Sequence, residues 1–239
     1  MYTFDSRVRY SEIDESGNLS VTSAVNYFQD CSTFQSEDIG KGVGYLKEHH
    51  KAWWLSSWQI VFDRFPKLGE KIVIGTYPYG FKGAYGYRNF LILDESGNYL
   101  VRANSVWFLF DLEAGRPVRV QEDDIRGYGE AGAKPLEMEY ATKRIAVPED
   151  YREDSPVEIT RHYIDTNHHV NNARYAEIAM ESLPCGFSVG ELRIEYKKAA
   201  MLGDIVIPRV GESGEGIAVD LRNPSGDRYA VTWFREKKG

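Results

Sequence analysis

The stretch Asp165-Thr166-Asn167-His168-His169-Val170-Asn171-Asn172 gathers one carboxylate, three carboxamides and two of the chain's five histidines into eight positions. Imidazole is the side chain whose ordinary pKa suits proton transfer near neutral pH, so a histidine beside an acid and amides reads as a general base with orienting partners. A strand-like run precedes the stretch and a helix follows it. If the strand continues through, side chains alternate: Asp165, Asn167 and His169 face one side, His168 and Val170 the other. His169 is then the candidate base, and the N–H groups of the helix start suit a developing oxyanion. The competing reading is a polar turn whose Asp and Asn side chains only cap the helix.

An internal repeat weighs between the two. "IVFDRFPKLGEKIVI" from Ile60 aligns with "IEYKKAAMLGDIVI" from Ile194, bringing Gly69 onto Gly203 and Glu70 onto Asp204. Upstream, Asp14 falls on Asp165 and, after three extra residues, Tyr27 on Tyr175; downstream, Trp107 falls on Trp233. Three matches in one order indicate a duplication. The first copy carries Ser16 and Asn18 where the second has Asn167 and His169. The fold therefore does not require the histidine, and one active site is expected, in the second copy.

Each copy must position its residues with a short strand, an irregular turn, a helix and several antiparallel strands, an α+β arrangement. In the first, Val25, Phe28, Cys31 and Phe34 recur at helical spacing before Gly40, with N-cap residues between Ser20 and Ser23. In the second, Asn171 or Asn172 caps a helix whose apolar face is Tyr175, Ile178, Ala179 and Leu183, ended by Pro184. Turn signals "PKLGE", "DESGN" and "NPSGD" separate Val/Ile/Tyr/Trp-rich strands. The division is residues 1–120, a connector over 121–154 with a helix around Gln121 to Glu130, and residues 155–239.

Of the 239 residues 42% are hydrophobic and 27% charged, which is a globular composition. The net charge of −7 disfavours nucleic acid, which needs a dominant basic face. No run of 18 apolar residues and no leader pattern is present, so a cytoplasmic protein that engages no membrane is expected. Cys31 and Cys185 have no CxxC spacing and read as incidental thiols. Adjacent His168 and His169 on a strand face opposite ways, so no metal site is expected. "GFSVG" from Gly186 matches a hydrolase nucleophile elbow, but no histidine follows Ser188 as that chemistry demands.

With "DTNHHVNN", the helix "ARYAEIAMES", "LRIEYKK" and the duplication in view, the chain resembles the plant and bacterial acyl-[acyl carrier protein] thioesterases over essentially its whole length. Trp53-Trp54, Arg64-x-Pro66 and "SVWFLFDLEAGRPVRV" are also in that family's style. The resemblance implies a tandem (double) hotdog, each unit an antiparallel sheet wrapped around a central helix. It assigns Asp165, Asn167 and His169 to the catalytic set; on the residues themselves, Asn167 is expected to hold a water or the thioester carbonyl and Asp165 to orient the site or stabilise its charge. It implies hydrolysis of fatty acyl thioesters to free acid, with an acyl-binding first unit and no cofactor. The partner it implies is acyl carrier protein bearing the acyl chain on phosphopantetheine, met by a monomer that is a pseudo-dimer or by a homodimer. That family's adjacent Glu-Cys after the "EYRR"-like strand is replaced by Ala199-Ala200 here, which favours attack by a His169-activated water over an acyl-enzyme. Glu195 is not the equivalent position. Large rings in "AWWLSSWQIVF" offer an apolar tunnel or plain core, and Arg193, Lys197, Lys198, Lys143 and Arg144 offer charge to an acidic carrier. Two alternatives stand beside this: a hotdog hydrolase of acyl-CoA, and a non-catalytic acyl-binding module.

Overall fold

The computed structural model describes residues 1–129, 133–142 and 144–237. Contacts divide the chain into two compact units, one of Met1–Ser56 with Asp63–Tyr140 and one of Ser57–Phe62 with Ala141–Gly239. The first holds β1 (Tyr2–Arg7), α1 (Val21–Asp38), α2 (Val43–Glu48), the opening half of β2 (Lys51–Phe62), β3 (Lys71–Lys82), β4 (Tyr85–Asp94), β5 (Tyr99–Asp111), β6 (Arg116–Pro117) and α3 (Glu122–Ile125). Its strands pair antiparallel in the order β1-β3-β4-β5, with β6 folded back on β5.

Helix α1 starts where Ser20 Oγ accepts the Ser23 N–H at 3.1 Å, as an N-cap should. Its 18 residues span about 27 Å. The buried stripe runs through Val21, Ala24, Phe28, Cys31 and Gln35, alternating steps of three and four. Phe28 meets Phe90 of β4 at 5.3 Å, and burying such a ring contributes about 2–3 kcal/mol. Phe34, expected on the core face, is 44% exposed and touches Phe4 edge-on instead. The helical period carries the stripe past it to Gln35.

Gln35 opens a polar cluster that the sequence pattern does not disclose. Its amide nitrogen donates to the Tyr128 carbonyl at 3.0 Å, and its oxygen accepts from Arg88 Nη1 at 2.6 Å. Arg88 also donates to Thr76 Oγ1 and lies over the Tyr128 and Phe90 rings. Burial lowers its pKa to about 10. Residues after β6 pack onto this unit as well: the Leu136 N–H donates to Asn89 Oδ1 at 3.0 Å, and the Tyr128 hydroxyl bonds Ser36 Oγ at 2.8 Å. Helix α3 is shorter than the expected Gln121 to Glu130. Gly127 and Gly129 follow it with positive φ, which a helix cannot continue through, and Glu130 lies outside the described residues.

The second unit holds the closing half of β2, β7 (Arg152–Glu153), β8 (Val157–Glu158), α4 (Asn172–Met180), β9 (Val189–Tyr196), β10 (Ile205–Ser213), β11 (Gly216–Arg222) and β12 (Arg228–Glu236). Its order is β2-β9-β12-β11-β10-β7, all antiparallel, and β8 also pairs with β10. Helix α4 lies against β11 and β12, with buried Ala173, Ala176 and Ala179 allowing close approach. It stops at Met180, one turn before the expected end, because Pro184 disfavours helical geometry at Leu183. Each unit thus sets a helix on an antiparallel sheet, the α+β hotdog arrangement expected from the sequence.

Candidate active site

Residues Asp165 to His169 form a tight turn rather than the expected extended segment. The Asp165 N–H donates to the His169 carbonyl at 2.8 Å, and the His168 N–H donates back to the Asp165 carbonyl at 3.1 Å. Asp165 Oδ1 accepts the Asn167 N–H at 2.8 Å and lies 3.4 Å from the His169 nitrogen. The physical reason is that an Asp side chain competes for its own backbone two residues on, which curls the chain before a strand can continue. Alternation of side chains therefore does not decide which imidazole serves the site. Asn167 and His168 are exposed, while Asp165 and His169 are half-buried.

The same closure recurs in the chain. In Asp14–Asn18, Asp14 Oδ1 accepts the Ser16 and Asn18 N–H groups, and the backbone bonds of Asp14 with Asn18 and Gly17 repeat at 2.8 and 3.0 Å. In Asp94–Asn98, Oδ1 of Asp94 accepts the Ser96 and Asn98 N–H groups, both at 2.9 Å. In Asn223–Asp227, Asn223 Oδ1 accepts the Asp227 N–H at 2.8 Å. "DESGN" stands at both 14–18 and 94–98, so the signal was present in the sequence. Matching Asp14 to Asp165 consequently reflects turn closure first. What distinguishes the second copy's turn is Asn167, His168 and His169.

The repeat fixes how the flanking elements correspond. Ser20 and Asn171 cap their helices, the Leu19 N–H reaches the Pro66 carbonyl at 2.7 Å, and the Val170 N–H reaches the Ala200 carbonyl at 3.0 Å. Val8 pairs with Gly69 and Glu70 as Ile159 pairs with Gly203 and Asp204. With caps in register, Tyr175 falls on Ala24, not on Tyr27 as the gapped sequence match had it. The Tyr175 hydroxyl accepts the Ala200 N–H at 2.9 Å, and its ring meets Tyr196 edge-on at 5.5 Å. Pro66, in the place of Ala200, has no N–H to offer. Burial first, then the nearby Asp165 carboxylate among others, raises the Tyr175 phenol to about 12, so it is protonated at neutral pH.

The segment where the resemblance places Glu-Cys in relatives is thus bonded, through Ala200, to Val170 just after the turn and to Tyr175 of α4. At the helix start, the Asn171 N–H donates to the Tyr163 carbonyl, the Ala173 N–H to Asn171 Oδ1 and the Arg174 N–H to the Asn171 carbonyl. These three N–H groups, at a helix start expected to face an oxyanion, are thus engaged within the protein. Of the two thiols, Cys31 is buried, its pKa pushed up to about 12 by desolvation, and Cys185 is exposed.

Of the basic residues expected to meet a carrier, Lys197 pairs with Glu195 at 2.7 Å and Lys198 with Asp227 at 3.2 Å. Arg193 lies over Trp233, Arg144 is exposed, and Lys143 lies outside the described residues. Trp53 packs near Phe81 and Trp54 stacks on Phe110 at 3.9 Å, both tryptophans half-buried. Among the described residues, no helix is long and apolar enough to cross a membrane, and no cluster of metal-ligating side chains occurs.

The family model of the acyl-ACP thioesterase N-terminal domain matches residues 1–128, and that of the acyl-ACP thioesterase C-terminal domain matches residues 148–231. A palmitoyl-acyl carrier protein thioesterase of Gossypium hirsutum is 26% identical over 208 residues, 80% of this chain and 50% of the relative. The chain spans about half the length of the curated relatives first matched. Among solved structures, an acyl-ACP thioesterase from Bacteroides thetaiotaomicron superposes with a TM-score of 0.89 at 23% identity, covering 98% of this chain and 97% of that one. A 12:0-ACP thioesterase from Umbellularia californica superposes with a TM-score of 0.80 at 18% identity, covering 98% and 97%. At these identities the structural likeness establishes the fold.

Proposed function

Because the chain belongs to the acyl-ACP thioesterase family, we propose that it hydrolyses the thioester of fatty acyl-acyl carrier protein to free fatty acid and carrier protein, ending chain elongation. The observation that carries this reading is the turn at Asp165–His169: a closure used elsewhere in the chain, here bearing the two side chains able to activate water and polarise a carbonyl. His169 takes a proton from water as the water oxygen attacks the thioester carbonyl. The carboxamide of Asn167 donates to the oxygen that gathers negative charge. As the carbon–sulfur bond breaks, the imidazolium returns its proton to the departing thiolate, so the enzyme ends as it began. Asp165 positions both groups by holding the turn closed.

The first unit is given to acyl binding, and the second supplies the chemistry. An acidic carrier is met by exposed Arg144 together with Lys197 and Lys198. A cytoplasmic site of action accompanies this reading. The test is hydrolysis of a panel of acyl-carrier proteins graded by chain length, with the same acyl groups on CoA. Release of free acid from the carrier series at rates well above those from CoA supports the reading; faster turnover of CoA esters at every length refutes it.

A further inference from the structure

Ala199 and Ala200 bring only methyl groups to the segment beside the Asp165–His169 turn, so what this segment contributes there comes from its backbone. Ala200 is buried, and both of its backbone groups are bonded. Its carbonyl accepts the Val170 N–H at 3.0 Å, one residue beyond His169. Its N–H donates to the hydroxyl of Tyr175, in the first turn of α4, at 2.9 Å. Tyr175 is itself buried and lies edge-on to Tyr196, whose hydroxyl donates to the Asn172 carbonyl at 2.9 Å. A strap thus runs from a fixed point on the helix, through Ala200, to the residue next to the candidate base.

The first unit shows which part of this strap the fold requires. There the Pro66 carbonyl accepts the Leu19 N–H at 2.7 Å, as Ala200 accepts that of Val170. With the helix caps in register, Ala24 takes the place of Tyr175, and Pro66 has no N–H to satisfy. The carbonyl bond is common to both copies and belongs to the fold. The bond from N–H to phenol occurs only in the copy that bears His169. One bond leaves the segment free to swing about it, whereas two at the same residue fix its orientation.

We propose that Tyr175 is a positioning residue for His169: acting through the backbone of Ala200 and Val170, its hydroxyl holds the base in place for proton transfer. The inference rests on the hydrolase reading above. Proton transfer is sensitive to such placement, since a shift of about 1 Å in a reacting group can cost about 10²-fold in rate.

The experiment measures single-turnover hydrolysis of one acyl-carrier protein, with substrate binding and thermal melts alongside. The proteins are wild type, Tyr175→Phe, His169→Ala, those two combined, and Tyr175→Phe with Ala200→Pro. Tyr175→Phe keeps the ring and removes the bond, so the chemical step slows by about 10- to 100-fold, while the dissociation constant of the substrate stays within about threefold of wild type. Melting falls by about 2–10 °C, because the Ala200 N–H is left buried without a partner. Adding Ala200→Pro reproduces the first unit's arrangement: most of the lost melting temperature returns and the slow step remains. In the His169→Ala background, Tyr175→Phe slows the residual reaction, measured above the uncatalysed rate, by less than about twofold, because a group acting through the base has nothing left to act on. Recovery of rate together with melting temperature in the proline variant would make the bond structural only and overturn the proposal. So would a full multiplicative loss in the combined variant, a Tyr175→Phe rate within about twofold of wild type, or a loss confined to binding. If the proline variant does not regain stability, the comparison with and without His169 decides by itself, since the same stability defect enters both sides. If wild type hydrolyses neither carrier-borne nor CoA-borne acyl groups, the hydrolase reading itself fails, and this one with it.

Discussion

At the scale of single residues, Asp165 closes the turn, and the proposed mechanism draws on Asn167 and His169. His169→Ala should lower single-turnover hydrolysis by about 10²–10⁴-fold, as loss of a positioned general base does, with the fold intact by circular dichroism. Near wild-type turnover in a folded variant would end the role assigned to His169. Asp165 and Asp14 close their turns alike, so Asp14→Ala and Asp165→Ala should each cost about 1–2 kcal/mol in urea unfolding. Turnover should fall only for Asp165→Ala, because the Asp14 turn carries no base. An equal loss of activity in both would show that the aspartates act through stability alone.

At the scale of elements, strands and caps were legible because their signals are local: Ser20 and Asn171 cap as read, and the glycine-marked turns lie where strands end. The turn geometry at Asp165 was missed because its cause is a side chain bonding its own backbone, which periodicity does not register. The Gln35–Arg88–Thr76 cluster was missed because it joins one helix to two strands. Glu195 illustrates another tertiary effect: it accepts the Ile145 N–H at 2.8 Å and pairs with Lys197, tying the chain before β7 to β9. Burial pushes its pKa upward, but Lys197 and the Ile145 N–H outweigh that and hold it below the ordinary 4.5. A carboxylate lowered on folding stabilises above its unfolded pKa, and that contribution disappears as pH falls through the folded one. Glu195→Gln should therefore lower stability by about 0.5–1 kcal/mol at pH 7. The gap to wild type should begin to shrink as pH falls below the ordinary 4.5 and close as it passes through the lower folded value, as read from melts in a pH series; a gap unchanged at low pH would mean that the charge contributes nothing. Cys31, pushed up to about 12 by burial, should resist iodoacetamide while exposed Cys185 reacts. Intact mass should show one adduct with hydrolysis preserved, and inactivation by that adduct would place Cys185 at the substrate path.

At the scale of the whole molecule, the duplication and its register at Asp14/Asp165 and Gly69/Gly203 were readable from order and spacing, but its register along the helices was not, since Tyr175 answers to Ala24 rather than Tyr27. That register predicts the outcome of a transplant. Ser16→Asn, Gly17→His and Asn18→His, combined in a His169→Ala background, should leave turnover at roughly 1% of wild type or less. Ala24 lacks the phenol of Tyr175, and Pro66 lacks the N–H that Ala200 gives to it. Recovery of substantial hydrolysis would mean that the turn suffices by itself. A loop that closes through its first side chain and its own backbone leaves its second, third and fifth positions free to vary without loss of form. In terms of descent, the turn was the inheritance and the chemistry an occupancy: a duplicated ancestor could hold both copies folded while one of them tried new residues. The turn at Asp14–Asn18 keeps the same closure without Asn167, His168 or His169.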